Sequence, residues 1–258
     1  MKISVNEQEK RLVYINFFRY FSWLLGAKKH MDCCYTQPCV PFAVFNSVID
    51  THLDEKIALK AISEIKSIYQ QTKQFCWWIT DFVKPQSLTH TLEEMGFTKG
   101  DPFVGMIYPL EGKIRIPNEV AHIEVKQVVT PTMLDDWMKP VQEAFNIDDI
   151  SAQFCAKVFK DNFTDKRLKH FYVQAKGEII ATATLFIEDL VSGFYNLAVL
   201  PPYRNQHIAS ALKWHRLKMS QDLGARYAVL QSSRMGQKCD LNIGFKPVSM
   251  FIPYFSPV

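Results

Sequence analysis

Asn196-Leu197-Ala198-Val199-Leu200-Pro201-Pro202-Tyr203-Arg204-Asn205-Gln206-His207-Ile208-Ala209-Ser210 is the stretch on which the reading of this chain turns. The apolar run Phe194 to Leu200 predicts a strand, which Pro201-Pro202 stops. Tyr203 to His207 is a short polar loop. A helix is expected from Ile208, with Ile208, Ala211, Leu212, Met219 and Leu223 on one apolar face. Strand, polar loop and helix start together make an anion site, because the first amides of a helix lack partners and its dipole favours negative charge.

The order of residues is more specific than this layout. Val199-Leu200-Pro201-Pro202-Tyr203 followed by Arg204-Asn205-Gln206-His207-Ile208-Ala209 resembles the coenzyme A loop of the GCN5-related N-acetyltransferase (GNAT) superfamily. That pattern is Arg or Gln, two residues, Gly, any residue, then Gly or Ala. Arg204 and Ala209 fit it, whereas His207 stands where the family has its first Gly.

Working outward, Thr130-Pro131 offers an N-cap and first-turn pair for a helix to about Phe145, and a second helix covers 151–162. His170 to Ala175 and Glu178 to Ile187 form a hairpin around Lys176-Gly177. After the central strand and its helix come a strand at 227–232, a helix ending at Gly244-Phe245, and a last strand at 247–255. The segment 121–128 reads as the first strand of this half, and Glu111 to Val120, broken by Gly112, Pro117 and Asn118, as the linker before it. The order resembles a complete GNAT core.

The first half begins with a helix expected over 6–28, whose stripe Val13, Phe17, Tyr20, Phe21 and Leu24 reads as core packing, with Gly26 as its stop. A loop over 29–41, a strand at 42–48, a helix from Leu53 to Thr72 and the strand Phe75 to Thr80 follow. A short helix at 87–95 and a strand at 103–109 complete it. Pro41-Phe42, Phe45-Asn46, Trp77-Trp78-Ile79 and Glu94-Met95-Gly96-Phe97 resemble the degenerate N-terminal half of two-domain bacterial GNAT proteins. No Arg-x-x-Gly-x-Gly loop occurs there, so this half is expected to supply packing and no second cofactor site. The expected fold is therefore α/β, two GNAT-like domains in tandem, each a mixed, mostly antiparallel sheet flanked by helices. The ranges are 1–118 for the degenerate domain and 119–258 for the one with the coenzyme A loop.

Composition narrows the classes further. With 48% hydrophobic and 22% charged residues among 258, the chain can bury a sizeable core. A formal charge of +4 suits an anionic cofactor, while the absence of a Lys/Arg run argues against a nucleic-acid partner. The six cysteines form no regular disulfide framework. His30, Cys33, Cys34 and Cys39 invite a metal reading, but no second cysteine pair follows at zinc-ribbon spacing, and reduced thiols are expected instead. The aromatic run 13–26 is interrupted by Asn16 and Arg19 and is shorter than the roughly 20 residues a membrane span needs. A cytoplasmic protein without a membrane partner is the expectation; nothing in the chain fixes its oligomeric state.

The resemblance implies transfer of an acetyl group from acetyl-CoA, as co-substrate, directly to a primary amine of a small molecule or protein, the amine's proton leaving through water. It implies that main-chain groups of Leu197, Ala198 and Val199 hold the pantetheine arm. The pyrophosphate falls to the amides of Asn205, Gln206, His207, Ile208, Ala209 and Ser210, with Arg204 adding a charge-assisted contact. Glycine at the place of His207 takes positive φ freely and lets backbone approach phosphate, and histidine lacks both advantages. Three readings stay open: the ring swings outward, pairs with phosphate as a cation, or closes the loop.

The family's leaving-group acid, a Tyr four residues before Gly-Phe, is replaced by Asp240, which reads as a helix-surface residue. Tyr195, Tyr254 and water are alternatives, and no catalytic residue is assigned. His215 reads as packed, and His170 as lacking partners. The rival to an enzyme is an inactive GNAT-like module that binds a partner or an acyl-CoA for regulation.

Overall fold

The computed structural model describes residues 7–72 and 74–257. In chain order the elements are α1 (Glu7–Leu25), β1 (Ala27–His30), β2 (Cys33–Thr36), β3 (Ser47–Thr51), α2 (Ala58–Ile68), β4 (Cys76–Thr80), α3 (Leu88–Glu94), β5 (Thr98–Lys99) and β6 (Phe103–Pro109). Then follow α4 (Asn118–Ala121), β7 (Lys126–Gln127), α5 (Met133–Phe145), α6 (Asp149–Asp161), β8 (Leu168–Ala175), β9 (Glu178–Glu188), β10 (Val191–Val199), α7 (Ile208–Asp222), β11 (Tyr227–Ser232), α8 (Gln237–Ile243) and β12 (Lys246–Phe255).

The chain divides into two compact units, Met1–Gly105 with Val248–Val258, and Met106–Pro247. These ranges differ from the 1–118 and 119–258 read from sequence: residues 106–118 belong to the second unit, and the last eleven to the first. The physical cause is strand pairing. Phe251 to Phe255 of β12 lie antiparallel to Thr80 to Cys76 of β4, so the chain's end completes the first sheet.

In the first unit the strand order is β1-β2-β3-β4-β12, with β5 also on β12. Among the described residues, β3 and β4 are the strand pair of this unit that runs parallel, and the other pairs are antiparallel. The core gathers Val48, Ile62, Ile65, Trp77, Leu88 and Leu92 from strands and helices. The stripe on α1 does pack inward: Phe17 meets Trp78 and Phe251 with ring centroids 5.3 and 4.9 Å apart. The expected start of this helix at residue 6 lies outside the described residues.

Residues 27–28, expected as the end of the first helix, and 29–36, expected within a loop, form a hairpin instead. Ala27, Lys28 and Lys29 of β1 are exposed, so the strand is held by backbone pairing and shows no apolar alternation to read. The helix expected from Leu53 starts at Ala58, after a 3₁₀ turn at Glu55–Ile57 whose Asp54 cap accepts from the Lys56 amide.

In the second unit the order is β6-β11-β10-β9-β8-β7, antiparallel from β7 to β10 and parallel between β10 and β11. The β8–β9 turn has positive φ at both Lys176 and Gly177, the type I′ pattern that matches strand twist. The N-cap position of α5 is Thr132 rather than Thr130, without a side-chain capping bond, and Pro131 lies before its first turn. The strand expected over 121–128 shrinks to Lys126–Gln127, because 118–121 forms the short helix α4. Helices α5 and α6 cover one sheet face and α7 the other. Trp137 of α5 donates to the Phe171 carbonyl at 2.8 Å, and His215 of α7 meets the Phe171 ring at 5.1 Å.

Candidate functional site

The site is built where β10 changes neighbours. Its parallel pairing with β11 covers only Val191↔Tyr227 to Gly193↔Val229, whereas antiparallel pairing with β9 continues to Val199↔Ala181. Beyond Gly193, one backbone edge of β10 is therefore unpaired with β11. In the same span the register with β9 shifts between Tyr195 and Ala198, and Asn196 takes φ 49°. Asn and His are the non-glycine residues that best tolerate this left-handed region, so a bulge at Asn196 is chemically reasonable. Of the three strand residues predicted for the site, Ala198 is buried, and Leu197 and Val199 are half-buried.

After Val199 the chain makes a 3₁₀ turn at Pro201–Tyr203 and reaches α7 through residues 204–207. Arg204 is tethered: its Nε donates to the Val199 carbonyl at 3.1 Å. Gln206 Nε2 donates to the Pro202 carbonyl at 3.1 Å. Asn205 and His207 both have φ of 61°, and His207 is the N-cap residue of α7. The conformation that glycine would supply is thus kept with histidine in place, and its side chain is exposed. Its carbonyl accepts the Ala211 amide at 2.9 Å, which closes the first helical turn. Ile208 is buried and anchors the helix start, Ala209 and Ser210 are half-buried, and Ser210 Oγ lies 3.4 Å from Cys239 Sγ. The amides of this first turn have no intrahelical acceptors.

The buried face of α7 departs from expectation. Leu223 is 48% exposed and Met219 half-buried, whereas Lys213 and Arg216 are buried. Asp240 is not a surface residue either: at 2% exposure its Oδ1 meets Lys213 Nζ at 2.5 Å, and Ser232 Oγ donates to its Oδ2 at 2.6 Å. The pairing of a short carboxylate with a long ammonium stem is what admits both into the interior.

Arg216 is fully buried. Its Nε donates to the Leu212 carbonyl at 3.2 Å, and its Nη1 lies 3.0 and 3.5 Å from the carbonyls of Thr184 and Tyr195. The guanidinium carbon lies 4.2 Å above the Phe194 ring. Burial lowers its pKa to about 9, with Asp240 opposing the shift, so it stays charged at neutral pH.

His170, read as lacking partners, is buried on β8, and its Nδ1 lies 3.0 Å from Thr184 Oγ1. Tyr254 belongs to the first unit, where it donates to Glu93 at 2.9 Å, and burial with that carboxylate pushes its pKa up to about 12. Among the described residues no three His, Cys, Asp or Glu side chains converge as metal ligands, and no helix is long and apolar enough to cross a membrane.

Residues 130–236 match the model of the acetyltransferase (GNAT) family. This part of the chain is a GNAT-family domain. The chain as a whole has the tandem GNAT fold.

A GCN5-related N-acetyltransferase from Kribbella flavida is similar at TM-score 0.74 and 13% identity, over 96% of each chain. One from Sphaerobacter thermophilus gives TM-score 0.63 at 15% identity, over 78% of this chain and 66% of the other. A tandem GNAT protein from the clavulanic acid biosynthesis pathway gives 0.52 at 11%, over 78% and 68%. At such identities the likeness is one of fold. No curated protein matches the sequence.

Proposed function

We propose that the GNAT domain is an acyltransferase that moves an acetyl group from acetyl-CoA to a primary amine of a small molecule or protein. In this reading the unit Met1–Gly105 with Val248–Val258 is the degenerate partner domain and Met106–Pro247 the active one. Main-chain groups of Leu197, Ala198 and Val199 take the pantetheine arm, and the loop Arg204 to Ser210 takes the pyrophosphate. The observation that carries the reading is the sequence of features along one strand: β10 leaves β11 after Gly193, bulges at Asn196, and leads into a helix capped by a left-handed residue. The exposed ring of His207 favours the first of its three readings, in which the side chain points away and the amides stay available. The six free thiols suit a cytoplasmic setting.

A second reading is favoured by Asp240. In the place where the family has its Tyr acid, the carboxylate is consumed by Lys213 and Ser232, which fits a module that binds an acyl-CoA or a partner without turnover.

Titration calorimetry with acetyl-CoA, on the unmodified protein and on His207→Gly, tests both. Binding by the unmodified protein, with thiol release when a panel of primary amines is added, supports the enzyme. Binding without thiol release supports the silent module. Binding only after His207→Gly means that the histidine closes the loop. No binding by either protein removes the assignment of Leu197 to Ser210.

A further inference from the structure

The interior of the GNAT domain holds two cations and one carboxylate: Lys213, Arg216 and Asp240. Lys213 and Asp240 form an ion pair at 2.5 Å. Arg216 is left with a surplus. Its Nε and Nη1 bond main-chain carbonyls, but its Nη2, fully buried, has no hydrogen-bond partner among the described residues. A buried donor left unmade is costly, and more so when it carries charge. Such a group in a native fold calls for an explanation.

The position of the guanidinium supplies one. It stacks on Phe194, the first residue of β10 beyond its pairing with β11, and bonds the carbonyl of Tyr195, the last residue before the bulge. On the other arm, Ser232 ends β11 and holds Asp240. Arg216 therefore sits on β10 where that strand leaves β11, and Asp240 sits at the end of β11. An acetyl group brings a carbonyl acceptor but no charge to set against a buried cation. A carboxylate does bring one: a guanidinium edge matches its two oxygens and the excess positive charge is compensated.

We propose that the donor used by this domain is a coenzyme A thioester whose short acyl chain ends in a carboxylate, and that Arg216 Nη2 is the group that reads it. This rests on the coenzyme A reading above and refines its donor. The reaction balances as an ordinary acyl transfer. The amine nitrogen attacks the thioester carbonyl, and the C–S bond breaks as the C–N bond forms. The proton shed by the amine leaves with coenzyme A as its thiol, and no oxidant or reductant enters.

The test is calorimetry on the full chain with coenzyme A, butyryl-CoA and succinyl-CoA, the last two matching in chain length and differing in the terminal carboxylate. Succinyl-CoA is expected to bind at least about ten-fold more tightly than butyryl-CoA, the scale of a charge-assisted hydrogen bond. In Arg216→Met the two thioesters should bind alike. Equal binding by the unmodified protein overturns the proposal and leaves the coenzyme A site standing, and that comparison needs no variant to fold. A preference that survives Arg216→Met assigns the carboxylate to another group and overturns the role of Arg216. Failure of all three ligands to bind overturns the coenzyme A reading itself, and this proposal with it.

Discussion

Asn196 Nδ2 donates to Thr184 Oγ1 at 3.1 Å, across the step where β10 and β9 lose register. The same Thr184 hydroxyl meets His170 Nδ1 at 3.0 Å. On the opposite face of the sheet, Arg216 bonds the Thr184 and Tyr195 carbonyls. The bulge is thus braced from both sides, by a side-chain relay from β8 and β9 and by a guanidinium from α7.

Thr184→Val keeps shape and removes the relay. It should destabilise the protein by about 1–3 kcal/mol, the range for stranding buried polar partners, measured as a lower urea midpoint at unchanged slope. Amide exchange should rise at 194–199 more than elsewhere in β10. Uniform exchange along the strand would mean that the relay does not hold the bulge.

His170 gives a pH dependence of definite sign. Burial between Trp137 and Phe159 pushes its pKa down to about 3 from the ordinary 6.5. The folded protein holds this ring neutral while the unfolded chain protonates it, so its contribution is complete above 6.5 and is lost as pH falls from there towards 3. Within that window the group should remove up to about 1.4 kcal/mol per pH unit. Chemical denaturation at about pH 7 and about pH 4.5 should show this slope, and His170→Leu should reduce it.

Asp240→Asn leaves Lys213 buried without its counter-ion. A loss of about 3–5 kcal/mol is expected, and the double replacement Lys213→Met with Asp240→Leu should recover most of it. Should the double variant be as unstable as the single one, packing rather than unpaired charge is the cause. Denaturant midpoints of the three proteins decide.

In the first unit, Gly105 has no room for a methyl group: a Cβ there would lie 2.7 Å from the Phe251 ring and 2.1 Å from Ser249 Oγ. Gly105→Ala should lower stability by about 1–3 kcal/mol through overpacking, read as a drop in Tm. An unchanged Tm would show that the end of the chain moves aside freely.

Much of the site was legible because it is written in neighbouring residues. Pro201-Pro202 can only end a strand, the loop is polar, and the spacing of Arg204 and Ala209 is local, so strand, turn and helix followed within a residue or two. The turn at Lys176-Gly177 and the cap at Gly244 were readable for the same reason, since positive φ has a residue signature. The buried charges were not. Ile208, Leu212, Arg216 and Ser220 recur every four residues and mark one ridge of α7, but weighing hydrophobicity alone drew the face towards Met219 and Leu223.

By itself, then, the sequence determined most of the helices and strands, the tandem α/β order and the strand, turn and helix around the loop, because each depends on contacts only a few residues apart; the hairpin at 27–36 and the strand at 47–51, expected at 42–48, did not follow from it. Tertiary structure alone decided that the last strand returns to the first unit, that Asp240 meets Lys213, and that the buried Arg216 stacks over Phe194 with Nη2 unpartnered among the described residues. These are choices among partners distant in the chain. Burial makes them stringent, since a charge withdrawn from water must find its counter-charge wherever the fold has placed it.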